Sequence, residues 1–335
     1  MMLKKITLFG LLSIIPVLSH AQNTSTQLDL LIERYESIPA NGHSISSYFD
    51  SSEMGLLKNQ LSINNASSPQ AIQGGGAVTI FGNHDDSNSF VSFSTDESTS
   101  LNTIGSNSGS SDFESSGDID PTNLNRAYAL TINTGEFYEV NITTGVYTFL
   151  GIINPLGDEV WNGIEFDPQT NILYAISSNF ADSSTVSTID IPTLEATTIG
   201  GTGMLGAIAI ATDGAGNFYS YDVIDNNFYS IDITTGLATL VGPIGFNANF
   251  GQDLEWDPEF EVMYMTALNS ASLDGELRTV DLTTGETTFI SIINTSDNGQ
   301  VPWASIVTPT TAPDQQRCFP LFALDDSAIS SVVCL

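Results

Sequence analysis

The chain has 335 residues, enough for two average domains or for one large all-β domain. Its 39 aspartates and glutamates outnumber seven lysines and arginines, so the formal net charge is −32, which argues against general affinity for nucleic acids or anionic lipids. Hydrophobic residues make up 41% of the chain, which excludes global disorder, and two cysteines are too few for a disulfide scaffold or a cysteine-based zinc module.

The N-terminal stretch 1–21 has the pattern of a secretory signal peptide. Lys4 and Lys5 precede an apolar stretch, and the small residues Ser19 and Ala21 fit positions −3 and −1 of a cleavage site. The apolar stretch is too short to span a bilayer; the alternative interpretation is a buried N-terminal strand. We therefore predict a secreted, periplasmic or cell-surface protein without membrane insertion, whose mature chain has a net charge of −34 because the removed segment carries two lysines and no acid.

The segment 22–76 that follows has helical rather than strand-like patterns. Apolar residues recur at helical spacing in LDLLIERYESI (28–38), which predicts a short amphipathic helix. A second helix is predicted over SSEMGLLKNQL (51–61). Three glycines at 74–76 predict a hinge before the next part of the chain.

Three sequence features recur at intervals of about 45 residues over most of the chain. The first is a strand–turn–strand segment, with the copies VNITTGVYTFLG (140–151), IDIPTLEATTIG (189–200), IDITTGLATLVG (231–242), VDLTTGETTFIS (280–291) and a looser FSTDESTSLNTIG (93–105). The second is an aromatic residue early in a strand, at Phe81, Tyr128, Tyr174, Tyr219 and Tyr264. The third is an apolar alternation that ends in a turn: GDIDP (117–121), GIEFDP (163–168), AIAIATDG (207–214) and DLEWDP (253–258). Their common order and period indicate an internal repeat.

Each repeat contains four short strand patterns. In the third unit these are IEF before Asp167, ILYAIS (172–177), TVSTID (185–190) and ATTIG (196–200). Thr-Thr-Gly in the sister units supplies a turn between the third and fourth strands, because glycine adopts positive φ without strain. A four-stranded unit of about 45 residues is typical of a β-propeller blade.

The two ends of the repeat region determine the predicted number of blades. AVTIF (77–81) aligns with the second strand of a unit, and WASIV (303–307) aligns with a first strand. Placing the last strand beside the first three closes a ring and removes the exposed edges. We therefore predict an all-β fold, a five-bladed propeller over 77–307. Six or seven blades remain an alternative if 22–76 or the tail 308–335 contains degenerate blades.

The blade pattern, an apolar alternation with Asp-Pro, then Leu-Tyr, then Asp-φ-Thr-Thr-Gly, resembles the YVTN and quinoprotein-dehydrogenase-like propeller superfamily over roughly 77–307. The resemblance implies a fold rather than a chemistry, because that superfamily contains binding scaffolds as well as enzymes. Its redox members bind a quinone or haem with dedicated residues, and this sequence has no match for them.

Residues that could act in nucleophilic catalysis are few. After removal of the signal peptide the histidines are His43 and His84. His84 lies in the polar stretch GNHDDSN without a Gly-x-Ser-x-Gly motif, so we interpret it as a solvated loop residue and keep a Ser-His-Asp triad as the alternative. Cys318 and Cys334 could form a disulfide in an oxidising compartment, and the sequence leaves this open.

The first strands of the five units suggest a candidate metal site. Aligning them puts one residue from each unit at an equivalent position: Asp118, Glu165, Ala209, Glu255 and Ser305. If this position faces the central channel, Asp118, Glu165 and Glu255 converge at one depth and either raise one another's pKa or hold a divalent cation, with Ca²⁺ as the candidate ion. The alternative is that these carboxylates are separated, hydrated or bonded to turn amides.

Aromatic residues in the connections between units suggest a ligand-binding surface. These connections gather around the channel mouth in a propeller and carry Phe113, Trp161, Phe246, Phe250 and Trp303. Aromatic rings among polar neighbours suit a sugar or a peptide, so Trp161, Phe246, Phe250 and Trp303 are candidate ligand-binding residues. The alternative is that these rings pack between blades.

These observations predict a secreted, non-catalytic β-propeller binding module for a glycan, a peptide or a cell-surface partner, with a bound divalent cation. We expect a monomer that binds no nucleic acid. The alternative function is a carboxylate-dependent, glycan-active hydrolase with its acids in the central channel. The regularity of the repeats favours the binding module, because catalytic pockets tend to interrupt a repeat.

Overall fold

The computed structural model describes 27–64, 77–106, 109–110 and 112–307, together with the backbone of 318–320 and 332–334. The predicted signal peptide and the predicted hinge at 74–76 lie outside these ranges. Within the described part, no helix combines the length and the apolar character that a membrane span requires.

The N-terminal segment forms two helices, as predicted. Helix α1 covers 27–36, a 3-10 turn covers Ile45–Ser47, and α2 covers Ser51–Asn64. Asp50 caps α2, because its Oδ1 accepts hydrogen bonds from the N–H groups of Ser52 and Glu53, each at 2.9 Å. Glu53 Oε2 accepts a hydrogen bond from the N–H of Asp50 at 3.1 Å, which completes a capping box.

The repeat region forms five four-stranded antiparallel sheets, the blades of a five-bladed propeller. Blade 1 consists of β20 (Trp303–Ile306), β1 (Thr79–His84), β2 (Ser89–Ser94) and β3 (Glu97–Ser106). Blade 2 consists of β4 (Glu114–Ile119), β5 (Arg126–Thr131), β6 (Glu136–Asn141) and β7 (Val146–Ile152). Blade 3 consists of β8 (Val160–Phe166), β9 (Leu173–Ser178), β10 (Ser184–Asp190) and β11 (Glu195–Gly201). Blade 4 consists of β12 (Ala211–Thr212), β13 (Phe218–Asp222), β14 (Asn227–Ile231) and β15 (Ala238–Pro243). Blade 5 consists of β16 (Asp253–Asp257), β17 (Val262–Asn269), β18 (Asp274–Val280) and β19 (Thr287–Ile292).

The ring closes as predicted, by a strand from the far end of the chain. β20 pairs antiparallel with β1, so that Ile306 lies opposite Ile80 and Trp303 lies opposite Asn83. The innermost strands β4, β8, β12, β16 and β20 contact one another around the central channel. The composite blade and the count of five blades are therefore confirmed over the described residues.

Each of the five interfaces between neighbouring blades has its own hydrophobic core. Phe166 of blade 3 packs on Tyr128 of blade 2, with ring centroids 5.9 Å apart, and Phe218 of blade 4 packs on Tyr174 of blade 3 at 4.8 Å. The recurring aromatic residue therefore serves contact between blades, which explains why it repeats with the blade period.

Glycines hold the outer parts of neighbouring blades together. The glycine of each Thr-Thr-Gly turn lies against a glycine in the last strand of the preceding blade, in the pairs Gly105–Gly145, Gly200–Gly236 and Gly242–Gly285. A Cβ on Gly105 would lie 2.8 Å from the Cα of Gly145, closer than carbon atoms pack. The turn glycines also have positive φ, 65° at Gly145. In blade 3 the turn has Leu194 instead, at a φ of 58°, and its side chain covers Gly151.

Two further features lie outside the blades. The N-terminal segment 27–64, called the cap below, packs on the connections between blades, and its apolar residues form a small core with Phe250, Leu268 and Leu273. In the tail, β21 (Cys318–Pro320) pairs with β22 (Val332–Cys334), with the backbone of Cys318 opposite that of Cys334. The disulfide between them stays a prediction.

Candidate functional site

The candidate metal ligands occupy one register position on three inner strands. Asp118 lies opposite Tyr128, Glu165 opposite Tyr174, and Glu255 opposite Tyr264, so each pairs with the recurring aromatic residue of its own blade. Because the blades are repeats, equal register places the three carboxylates at the same depth in the channel. In blade 1 the position is taken by Ser305, opposite Phe81.

The alignment of blade 4 was wrong by two residues. Ala211, not Ala209, lies opposite Tyr219 and so occupies the equivalent position. The stretch AIAIA alternates with period two, so both alanines fit the inward-facing pattern, and blade 4 has Asp213-Gly214 where its sister units have Asp-Pro. Either alanine leaves this position of the channel without a polar side chain.

The structure brings Asp118, Glu165 and Glu255 together in the channel. One carboxylate oxygen from each lies within 4.8 Å of the others, and each residue is only 6% exposed. Asp253 lies two residues before Glu255 on β16, on the same face of the strand, and is also buried. Four acidic side chains therefore share a space that is nearly closed to solvent.

Each carboxylate accepts a hydrogen bond from the backbone of the inner strand of the next blade. The pairs are Asp118 Oδ2 with the N–H of Phe166 at 2.7 Å, Glu165 Oε1 with that of Thr212 at 3.0 Å, and Glu255 Oε1 with that of Ile306 at 2.9 Å. Ser305 Oγ does the same for Ile119 at 3.1 Å and donates to Asp118 Oδ1 at 2.7 Å. These bonds link the inner strands of successive blades around the channel.

The series of inner-strand bonds has one interruption. Blade 4 offers Ala211 at the position from which the other blades bond to their neighbour, so the hydrogen bonds of the described residues include no side-chain acceptor from blade 4 for the N–H of Trp256. The interface between blades 5 and 1 has a second hydrogen bond of this kind, because Asp253 Oδ2 accepts from the N–H of Ala304 at 2.9 Å.

The environment of the channel disfavours negative charge on these acids. Burial raises the pKa of Asp118 to about 7. Burial, together with the charges of Asp118 and Glu255, raises the pKa of Glu165 well above its usual range, and burial with the charge of Asp118 does the same for Glu255. The backbone hydrogen bonds act in the opposite direction without reversing the shift. Protons or a cation would therefore stabilise this cluster.

The carboxylate oxygens are close enough together to share one divalent cation. Ca²⁺ binds oxygen at about 2.3–2.6 Å, so two of its ligands are at most about 4.6–5.2 Å apart. The three oxygens lie within 4.8 Å of one another, inside that range, and a carboxylate oxygen that accepts one hydrogen bond keeps a second lone pair for a metal.

Three of the four candidate aromatic residues are fully buried. Trp161 lies in the core between blades 2 and 3 and donates from Nε1 to the carbonyl of Ile153 at 2.8 Å. Trp303 stacks on Phe90 between blades 1 and 2, with ring centroids 5.7 Å apart. Phe250 lies beneath the cap. These positions favour the packing interpretation that the sequence left open.

The fourth candidate, Phe246, is half-buried, as is Phe113, the remaining aromatic residue of the connections. Phe246 lies under the guanidinium of Arg278, which is 4.1 Å from the ring centroid. Phe113 contributes to a pocket of about 240 Å³ between the cap and blades 1 and 2. Ligand binding by Trp161, Phe246, Phe250 and Trp303 stays a prediction, and in this conformation only Phe246 offers part of its ring to solvent.

His84 is buried rather than solvated, so that interpretation was wrong. It is 1% exposed, its Nδ1 is 2.7 Å from Ser87 Oγ, and its Nε2 is 3.2 Å from Asp297 Oδ1. Asp297 lies in the connection between β19 of blade 5 and the closing strand β20 of blade 1, and Asn298 of this connection donates to Asp86 in the turn between β1 and β2. No local signal in the sequence indicates this partner, which lies more than two hundred residues away.

Searches against protein-family profiles and against curated proteins find no match. Among solved structures, the chain is similar to a component of a nidogen/laminin complex, with 12% identity and a TM-score of 0.48 over 70% of this chain and 99% of that one. It is similar to an auxiliary nutrient binding protein from Bacteroides thetaiotaomicron, with 13% identity and a TM-score of 0.40 over 67% and 51% of the chains, so it spans about half of that protein. It is also similar to TolB from Acinetobacter baumannii, with 12% identity and a TM-score of 0.40 over 72% of this chain and 58% of that one.

Proposed function

We propose that the protein is an extracellular, non-catalytic binding module of the YVTN-like propeller type, whose central channel holds one calcium ion. Asp118, Glu165 and Glu255 are the proposed ligands. The observation that carries the proposal is that these three buried carboxylates offer oxygens within 4.8 Å of one another. The predicted signal peptide supports the location, and the partner is a glycan, a peptide or a surface protein.

The electrostatics of the channel support a cation there. Burying several carboxylates costs free energy unless they are neutralised, and within the described part of the chain no lysine or arginine is among the main charges that shift their pKa values. A divalent ion would neutralise two of the charges while leaving the bonds to the inner strands in place.

A glycan hydrolase is the weaker alternative. A pKa of about 7 for Asp118 suits a general acid, and closely spaced carboxylates occur in retaining glycosidases. However, the three residues are 6% exposed, and each already binds the backbone of the neighbouring strand. A sugar ring needs direct access to both acids, whereas an ion needs only their oxygens.

Thermal unfolding tests the calcium site. We expect a higher melting temperature in millimolar CaCl₂ than in NaCl of matched ionic strength, because the ion binds the folded state only and relieves carboxylate repulsion. Equal melting temperatures in the two salts would mean that calcium acts only by screening charge, and would contradict the site.

A double variant assigns the effect to the channel. Glu165→Gln with Glu255→Gln should raise the melting temperature of the calcium-free protein and abolish the additional gain from calcium. The matched control, Glu195→Gln with Glu286→Gln, removes two exposed carboxylates elsewhere and should keep the calcium response. A full calcium response in the channel variant would overturn the assignment.

A further inference from the structure

The cap places a bent stretch of its backbone, 41–45, against the connections between blades, called the groove below, with bends at 42 and 43 and the 3-10 turn beginning at Ile45. The side-chain amide of Gln300 contacts this backbone twice: Nε2 donates to the carbonyl of His43 at 3.2 Å, and Oε1 accepts from the N–H of Ile45 at 3.0 Å. The N–H of Gly251 also donates to the His43 carbonyl, at 3.0 Å. Gln300 is 1% exposed, so its orientation is fixed by its surroundings.

A second amide extends this recognition toward the N-terminal end of the stretch. Asn249 Oδ1 accepts from the N–H of Asn41 at 2.9 Å. Two side-chain amides and one backbone N–H thus bind the main chain of this bent segment. Main-chain bonds of this kind provide affinity in peptide-binding sites, where pockets for alternate side chains provide specificity.

The groove also selects side chains at three positions of the stretch. Gly42 has no space for a Cβ, which would lie 2.5 Å from Asn162 Oδ1 and 2.9 Å from Ile208 Cδ1. Ser44 donates from Oγ to the carboxylate of Asp85. Ile45 is fully buried in the core that the cap shares with blade 5. The recognised pattern is Gly-X-Ser-Ile.

An acidic pocket beside the groove is left unfilled by the cap. The pocket has a volume of about 240 Å³, and its lining includes the acidic residues Asp85, Asp112 and Glu114 together with Ser46 and Ser47 of the cap. Ser47 is exposed and too short to reach across such a space. A lysine at that position would bring a positive charge beside these acidic residues, which is a charge complement that the chain's own segment lacks.

We propose that this groove binds a peptide of another protein, with the pattern Gly-X-Ser-Ile-X and then a basic residue, in exchange for the chain's own residues 41–47. The inference rests on the proposed role as a binding module and names its partner class, but it uses residues other than the channel carboxylates. The cap acts as a tethered competitor, whose high effective concentration keeps the groove occupied until a better-matched peptide arrives.

The test uses the full chain with two variants that release the cap and leave the groove intact. Ile45→Asp introduces a charge into an apolar core, and Gly42→Ala introduces the Cβ that the groove cannot accommodate. Gly55→Ala is the matched control, because a Cβ on Gly55 in α2 would meet nothing within 4 Å. Limited proteolysis within 27–64 reports whether the cap has been released.

The probes are two fluorescein-labelled peptides, PANGHSISSY (39–48) and the same peptide with lysine in place of Ser47, both followed by fluorescence anisotropy. We expect either released variant to bind them at least about tenfold more tightly than the wild type or Gly55→Ala protein, which still contain the competitor. The lysine peptide should bind more tightly than the serine peptide, and added salt or Asp112→Asn should remove the difference.

Three outcomes would overturn the proposal. The cap could stay protected from protease in both variants, a released variant could fail to bind either peptide, or Gln300→Leu in the Ile45→Asp background could leave peptide binding unchanged. The calcium response of the same variants is measured separately. Loss of peptide binding with a normal calcium response would therefore contradict the groove but not the channel site. Normal peptide binding without a calcium response would contradict the channel site but not the groove.

Discussion

At the level of single residues, the inner-strand carboxylates are the proposed metal ligands, and they also link neighbouring blades. Asp118, Glu165 and Glu255 each bond to the backbone of the next blade, and Ser305 does so with a hydroxyl. The metal proposal and the structural role are compatible, because the bonds use one lone pair of an oxygen and leave others for an ion.

The side chain of Ala211 has no hydrogen-bond acceptor for the neighbouring blade, and this gives a stability prediction. Ala211→Ser should provide an Oγ that accepts from the N–H of Trp256, as Ser305 does for Ile119. One such bond contributes about 1 kcal/mol, and we expect the melting temperature to rise by about 2–4 °C. The matched control is Ala209→Ser, which adds the same hydroxyl two residues earlier, away from the position that faces the N–H of Trp256, and should not stabilise the protein. A stabilising Ala209→Ser with a destabilising Ala211→Ser would reverse our assignment of the position.

The sequence predicted these residue positions wherever Asp-Pro fixes the end of the inner strand. In blade 4 the alternating alanines lack that marker, and Ala209 was chosen instead of Ala211. The bonds from the carboxylates to the neighbouring strands, and the burial of His84 under the loop of Asp297, join residues far apart in the chain. No local pattern encodes such pairs, so they required the structure.

At the level of elements, each blade could be predicted because its four strands and its turns have local signals. The exposure of the connections between blades could not be predicted from the sequence, because it depends on the cap that packs over them. Phe250 illustrates this: its sequence context suits a ligand platform, yet the helices of the cap cover it. Leu194 shows that one turn works without glycine, since its side chain fills the space beside Gly151.

The closing strand β20 gives a prediction for truncated chains. A protein that ends at residue 301 lacks β20, which leaves the inner edge of β1 and the core residue Ile80 exposed, and we expect it to aggregate. The matched control ends at residue 307, keeps β20, and should remain folded by size-exclusion chromatography and circular dichroism. A soluble, cooperatively unfolding chain that ends at residue 301 would contradict closure by this strand.

At the level of the whole molecule, the acidic channel predicts how stability depends on pH. Asp118 has a pKa of 3.8 in the unfolded chain and of about 7 in the folded protein, and the pKa values of Glu165, Glu255 and Asp253 are also raised. Between pH 4 and 7 the folded state therefore binds more protons than the unfolded state, so the free energy of unfolding falls as the pH rises.

We therefore expect the melting temperature in a chelator to be lower at pH 8 than at pH 5, with Asp118 alone accounting for up to ~4 kcal/mol. The double variant Glu165→Gln with Glu255→Gln should show a smaller fall, and calcium should restore stability at pH 8. The carboxylates with lowered pKa values, such as Asp112 and Asp297, act below pH 4 and do not enter this window, whereas burial lowers the pKa of His43 and gives a contribution of opposite sign within it. A melting temperature that rises from pH 5 to pH 8 in the chelator would contradict the raised values.

The pairing of β20 with β1 also determines the order in which the molecule can fold. Blades 2 to 5 consist of consecutive strands, so each can form soon after its own segment leaves the ribosome. Blade 1 begins first but stays incomplete until Trp303–Ile306 is synthesised, more than two hundred residues later. The cap has the same delay, because its contacts Gly251, Leu268 and Gln300 lie near the end of the ring. The part of the chain that is made first is thus the last to reach its native contacts, and such long-range closure makes folding slow and leaves the edge of β1 unprotected meanwhile.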